Sequence, residues 1–453
     1  MKPINANELL AGLTLAEPVT VTAVVTDSRK VVPGCVFVCF PGERVDGHAF
    51  AAAAYQNGAV YVVANHPVEG VPEERTIVVP SSHMAMVRMA ANYRTLFSPL
   101  MIGVTGSVGK TTTKEFCYAV LSAFGDTLRT EGSQNNEIGL PNTLFRLDDT
   151  IEYAVIEMGM NHLGEIERLA RAARPSAAII TMIGVSHLEN LGTRENILKA
   201  KLEICAGLPD GAPLVMNADD DLLPAAPVPG RLRPVWFGID AAQADVRAEK
   251  ITETPAGITF LLQDALHGSF TVKIPTVGRH TVYDALAAYT AATRLGLDAA
   301  KAAAALSRYE TTGMRQRMVA HGGVTFIEDC YNASPDSMKA ALQVLKGMPQ
   351  KRHIALLGDM LELGGISEEA HRRVGVWAAE TGVDLLLAYG PRSGGMAQAA
   401  AEKGVTSVHC QNAQEVVGYL RQYVRSGDAL LAKASHAMKL EEILAAFYAE
   451  LDG

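Results

Sequence analysis

Residues 100–104 are apolar, and Phe116, Val120, Leu121 and Phe124 fall at helical spacing. Between them lies Thr105-Gly106-Ser107-Val108-Gly109-Lys110-Thr111-Thr112, a glycine-rich turn from strand to helix. Such a turn can bind phosphate. Its glycines let backbone N–H groups converge, the helix start adds partial positive charge, Lys110 adds a full one, and Thr111 offers a hydroxyl to Mg²⁺. The spacing is unusual, because five residues separate Gly103 from Gly109 and Val104 stands where a common P-loop has its first glycine.

Other candidates stand at the ends of apolar runs. Tyr153-Ala-Val-Ile-Glu157 closes on a carboxylate, which beside a P-loop helps to hold Mg²⁺; a capping or solvated acid is the alternative. His187 follows the run 177–183, and either a ligand or an ordinary hydrogen-bonded histidine fits. Lys199-Ala-Lys201-Leu-Glu203 reads by itself as a solvated helix face. The polar stretch 130–141 is too long for a simple connection, which marks a functional loop. Near the N-terminus, Thr26-Asp27-Ser28-Arg29 and Pro41-Gly-Glu-Arg-Val-Asp46-Gly47-His48 place charged turns after strands, where ligands are held and where Asp and Ser also simply close turns. The run 213–217 leads into Ala-Asp-Asp rather than Asn-Lys-x-Asp, which disfavours a guanine site.

Three domains are needed to carry these residues. With 453 residues the chain exceeds one ordinary core. Residues 1–97 alternate short apolar runs with turns and a helix at 82–96, a small α/β domain. Residues 98–311 hold the P-loop, further βα units, an antiparallel meander at 244–275 and two Ala-rich helices at 281–306. From 312 to 453 the βα alternation resumes, with strands at 324–327, 354–357, 385–388, 407–409 and 429–432, which predicts a second doubly wound sheet. It lacks a Gly-x-Gly-x-x-Gly after its first strand, so a dinucleotide is not expected.

The net charge of -9 argues against a general nucleic-acid or anionic-membrane binder, though local cations can still hold phosphates. Six scattered cysteines read as reduced and buried. The chain begins without an apolar leader and has no run of about 18 apolar residues, so a cytoplasmic protein without membrane insertion is expected.

Taken together the motifs resemble the ATP-dependent Mur ligases of peptidoglycan synthesis over essentially the whole chain. The residues that carry the resemblance are Asp27-Ser-Arg29 with Pro33-Gly34, Asp46-Gly-His48, the P-loop, Glu157-Met-Gly-Met, Ser186-His187-Leu-Glu and Lys201-x-Glu203. Tyr331-Asn-Ala-Ser-Pro335 and Leu357-Gly-Asp-Met-Leu-Glu-Leu-Gly364 are similar to the branch that adds D-alanyl-D-alanine. The resemblance implies a three-domain α/β enzyme that binds the UDP end of its substrate, then ATP, then the amino component, in domain order. It implies an amide-forming ligase joining D-alanyl-D-alanine to UDP-N-acetylmuramoyl-tripeptide through an acyl phosphate, with ATP and Mg²⁺ as cofactors and a monomer as the working form.

Carried over by position, Ser28, Arg29, Asp46, Gly47 and His48 would meet the uridine end. Residues 105–112 would cradle the nucleotide phosphates, and Arg315 and Asn332 would reach the nucleotide on closure. Thr111, Glu157 and His187 would hold Mg²⁺, joined by Lys201, the position of the family's carbamylated lysine. Two departures stand out: Thr281 and Asp284 replace the family's two asparagines, Asp284 on the nucleotide side, and Lys433-Ala-Ser-His436 replaces Lys-Gly-Ser-Arg. A sister ligase adding a single amino acid, and a non-catalytic nucleotide-binding protein of the same fold, are the competing readings.

Overall fold

Four parallel strands, Ala23–Val25, Cys35–Val38, Tyr61–Ala64 and Thr76–Val78, stand in sequence order and form the first sheet. The structure is a computed structural model that describes residues 1–14, 16–42 and 45–451. Both Cys35 and Cys39 are fully buried in or beside this sheet, and all six cysteines are free thiols. A helix, Ser82–Arg94, capped by the Ser81 hydroxyl, leads out of the domain.

The second sheet has nine strands. Its parallel core runs, in spatial order, Arg233–Gly238, Pro213–Asn217, Ala177–Ile180, Leu100–Thr105, Tyr153–Glu157 and Thr127–Arg129. Strands covered on both faces must be apolar throughout, which is why Leu100–Thr105 is buried from Met101 onward. The meander, Val246–Thr254, Gly257–Asp264 and Gly268–Ile274, continues this same sheet at one edge. Two helices, Arg279–Arg294 and Ala299–Ala305, pack on one face with the P-loop helix Lys110–Leu121. Alanine lets them approach closely; Ala285, Ala288, Ala291 and Ala292 are all fully buried.

The third sheet has six strands in the order Arg317–His321, Val324–Asp329, Asp428–Lys433, Arg352–Gly358, Leu385–Tyr389 and Thr406–Cys410. All pair in parallel except the first, an antiparallel edge strand. That edge strand and the short strand Thr127–Arg129 were not legible in the sequence. Both are partly exposed and carry no continuous apolar run. The expected strand 177–183 ends at Ile180, because Thr181 and Met182 turn to bond the P-loop, with Thr181 N–H donating to Thr105 O (3.0 Å) and Ser107 N–H to Met182 O (2.9 Å).

Candidate active site

The P-loop lies at the carboxyl edge of the central sheet, where its strand hands over to a helix. Two of its glycines are required by close approach. A Cβ on Gly106 would sit 1.9 Å from Thr181 Oγ1, and one on Gly109 would sit 2.6 Å from Asp284 Oδ1; both residues also have positive φ. Thr181 fixes the loop further by donating its hydroxyl to Val108 O at 2.5 Å. Lys110 folds back over this loop, its Nζ donating to Gly106 O (2.8 Å) and Ser107 O (3.3 Å). Burial pushes its ammonium below the ordinary lysine value, with Glu157 acting in the opposite sense.

Glu157 is held from two sides. Thr111 Oγ1 donates to Oε2 at 2.7 Å, Asn135 Nδ2 donates to Oε1 at 2.8 Å, and the Glu157 N–H donates to Thr130 Oγ1 at 3.0 Å. The long loop 130–141 thus supplies Asn135 to the strand-end carboxylate. Lys201 lies on the helix Arg194–Leu202, fully buried, and its Nζ has no hydrogen-bond partner among the described residues. Burial first, and the Lys110 charge second, hold its pKa well below that of a free lysine. An amine so placed gives up its proton more readily than one in water. The sequence suggested a solvated face for Lys199 and Lys201, but only tertiary packing separates the exposed Lys199 from the enclosed Lys201. Two residues on, Glu203 accepts from Gly164 N–H (2.6 Å) and Glu167 N–H (3.3 Å), capping the helix Glu165–Ala173.

His187 has a left-handed backbone (φ 64) and sits between the central and C-terminal domains, its Nδ1 2.7 Å from Glu362 Oε2. Asp284 reaches the P-loop helix from the Ala-rich helix, accepting the Thr113 hydroxyl at 2.6 Å. Burial raises its pKa to about 8, so at neutral pH it is mainly an un-ionised acid and stands in for asparagine as a neutral hydrogen-bonding group. Thr281, by contrast, turns away and donates to Gly278 O at 2.8 Å.

Two cavities open on these residues. One, of about 400 Å³, is lined by Ser107–Thr112, Asn135, Glu157, His187 and Asp284 on the central side, and by Arg315, Asp329, Tyr331, Asn332 and Lys433 on the C-terminal side. The other, of about 770 Å³, shares Val108, Gly109, Asp284 and Asp336 and continues to Asn217, Tyr283, Lys339 and Trp377. Thr105 lies beneath them, its hydroxyl donating to Met158 O at 2.9 Å. Arg315 stands 4.2 Å over the Tyr331 ring. Lys433 is buried against Asp329 (2.6 Å) and Asn332 O (2.8 Å), and His436 is largely exposed beside Tyr331. Glu362, Asp336 and Trp377 took no part in the sequence expectation. Glu362 lies inside a motif singled out there, while Trp377 carries no local signal.

The five N-terminal candidates line neither cavity. Asp27 caps the turn Ser28–Lys30 and pairs with Arg29 at 2.8 Å. His48 is buried, its Nδ1 2.6 Å from Asp46 Oδ1, while its Nε2 accepts from Asn65 N–H at 3.0 Å. That pattern fixes the proton on Nδ1. Glu43 and Arg44 of the same loop lie outside the described residues.

Fold and site define a nucleotide-binding α/β protein whose P-loop cavity is completed by a second doubly wound domain. Sequence models of the Mur ligase family match along the chain: the catalytic domain over residues 20–94, the middle domain over 104–292 and the glutamate ligase domain over 314–436. The chain belongs to the Mur ligase family. It is similar to UDP-N-acetylmuramoyl-tripeptide--D-alanyl-D-alanine ligase from Bacillus subtilis (strain 168), at 36% identity over 452 residues, covering 97% of this chain and 96% of the relative. The crystal structure of MurF from Acinetobacter baumannii matches with a TM-score of 0.90 at 29% identity, covering 99% of each chain. MurF ligase from Thermotoga maritima, in complex with ADP, matches with a TM-score of 0.83 at 29% identity over 95% of this chain and 97% of its own. Among the described residues no helix is long and apolar enough to cross a membrane.

Proposed function

We propose that this chain is the ATP-dependent ligase that joins D-alanyl-D-alanine to UDP-N-acetylmuramoyl-tripeptide, releasing ADP and phosphate. The observation that carries the reading is the shared cavity. P-loop residues, Glu157 and His187 face Arg315, Asn332 and Lys433 of another domain, in a chain alignable almost end to end with ligases of that name. Working as a monomer in the cytoplasm belongs to the same proposal.

A carboxylate acylates poorly because its oxygen is a bad leaving group. The tripeptide carboxylate therefore attacks the γ-phosphorus of ATP, the bond to the β-phosphate oxygen breaks, and an acyl phosphate and ADP result. The dipeptide amine then attacks the acyl carbon, phosphate departs, and the amine loses a proton. Repulsion between carboxylate and triphosphate is the main obstacle to the first step. Lys110 and the N–H groups of residues 108–111, at the start of its helix, offset it by positive charge held beside the cavity. Arg315 adds a cation from the C-terminal domain, so the site is complete only when that domain is in place.

The residues present fit Mg²⁺. Thr111 and Glu157 offer the hard oxygen donors it prefers, His187 stands at the rim, and the orphaned Nζ of Lys201, whose burial favours the unprotonated amine, is the group that adds CO₂ to become a carbamate. When bound, Mg²⁺ supplies charge neutralisation for the triphosphate. Ser28, Arg29, Asp46, Gly47 and His48 are assigned to the uridine end, and their place in turns of the N-terminal domain, away from both cavities, suits a long substrate that reaches across two domains.

The test is ADP release with ATP, Mg²⁺ and UDP-N-acetylmuramoyl-tripeptide, comparing D-alanyl-D-alanine with single amino acids and with no amine. Turnover only with the dipeptide is expected. Turnover with one amino acid would move the chain to a sister ligase, and no ADP under any condition would overturn catalysis.

A further inference from the structure

Glu362 belongs to the C-terminal domain, yet its carboxylate lies 2.7 Å from the Nδ1 of His187 in the central domain. The two groups meet as an ion-pair contact outside hydrogen-bond alignment, and no other polar group meets that nitrogen among the described residues. The approach is built by backbone as well. Glu362 O accepts from Glu189 N–H at 3.2 Å, and a Cβ on Gly364 would come within 3.2 Å of Glu189 Cα. Both His187 and Glu362 are held in the left-handed region, at φ 64 and 62. Two non-glycine residues at positive φ, facing each other across one seam, are sustained only where the surroundings over-determine them.

We propose that Glu362 is a positioning residue of the ligase reaction: it anchors Nδ1 of His187, leaves Nε2 to face the cation site, and thereby makes cation binding conditional on docking of the C-terminal domain. A histidine that binds a metal through one nitrogen is oriented by what its other nitrogen meets, and a carboxylate there both fixes the tautomer and raises ligand basicity. Here the carboxylate arrives from another domain. Binding and docking are then linked, each favouring the other by the same factor. This inference rests on the reading of His187 as a cation ligand.

The experiment measures Mn²⁺ affinity by the paramagnetic resonance of free Mn²⁺, on the full chain with ADP and no other substrate. It compares wild type with Glu362→Ala and Glu362→Gln, each also in a His187→Gln background. Loss of an outer carboxylate of this kind weakens metal binding by about 10- to 100-fold. Expected are a loss of about tenfold for Glu362→Ala, a smaller loss for Glu362→Gln, whose amide oxygen keeps a polar contact at Nδ1 without the charge, and no further loss when His187 is already replaced. Unchanged affinity in Glu362→Ala, or equal losses with and without His187, would overturn the inference, as would a wild type that binds no Mn²⁺ with ADP. Because no amine or UDP substrate is present, the result stands apart from whichever dipeptide or amino acid the enzyme uses.

Discussion

Where the first domain meets the second, the contact is a continuous apolar core. Val36, Val38, Tyr61 and Met86 belong to the same buried cluster as Leu140, Leu144, Ile166 and Leu169. The helix Ser82–Arg94 crosses between them, with Tyr93 Oη donating to Leu147 O at 2.7 Å and the buried Arg94 Nε donating to Ala173 O at 2.9 Å. Where the second domain meets the third, the contacts are mainly polar: His187 with Glu362, Gln316 with His280 at 2.7 Å, and Tyr331 with Ser133. Each side of that seam otherwise closes its own core, with Val277 and Val185 the apolar residues lent across. A buried apolar seam loses its whole transfer energy when parted, whereas polar groups exchange partners with water at little net cost. The first seam is therefore a fixed joint and the second one that can open to admit nucleotide.

The largest expected effect tests the chemistry at the polar seam. Lys110→Ala should lower ADP formation by about 10²- to 10³-fold, the loss typical of removing a preorganised donor, with an unchanged denaturation midpoint. Near-normal turnover would take the P-loop out of the mechanism.

Asp284 gives a pH test on the central side of that seam. Its folded pKa, about 8, exceeds the ordinary carboxylate value, so between about pH 4 and 8 the folded state holds a proton that the unfolded chain has released. Stability is then fully present below the unfolded pKa and is lost as pH rises through 8. The wild type should lose on the order of 3 kcal/mol relative to Asp284→Asn between pH 5 and 8, at about 1.4 kcal/mol per unit. Parallel stability profiles for the two proteins would show Asp284 to be ionised throughout.

At the fixed seam, Met89→Ala should cost about 2–4 kcal/mol in urea denaturation by opening a cavity, while kcat measured well below the transition stays near wild type. A large fall in kcat with unchanged stability would reverse the assignment of the two seams. The smallest effect is expected for Tyr331→Phe, which removes only the hydroxyl contact to Ser133. One hydrogen bond is worth about 1 kcal/mol, so KM for ATP should rise about fivefold, with global stability shifted by less than about 0.5 kcal/mol.

Much of this molecule was legible in its sequence. The P-loop could be read because its requirements are local: a strand, glycines able to turn, and a lysine at a helix start within one short stretch. The parallel strands could be read because burial on both faces forces continuous apolar runs, and Glu157 and His187 stood out as polar residues closing such runs. The edge strand Arg317–His321 could not, since a half-exposed strand needs no distinctive pattern.

Tertiary structure decided the rest. It buried Lys201 while leaving Lys199, on the same helix, in solvent, and so weakened the hold of one of two identical side chains on its proton. It raised the pKa of Asp284 by enclosing it against the P-loop helix, and brought Glu362 to His187 from 175 residues away along the chain. Sequence spacing specifies what a chain does within a turn or two. Desolvation and contact between domains are properties of the assembled fold, and here they set the proton affinity and orientation of groups packed around the P-loop.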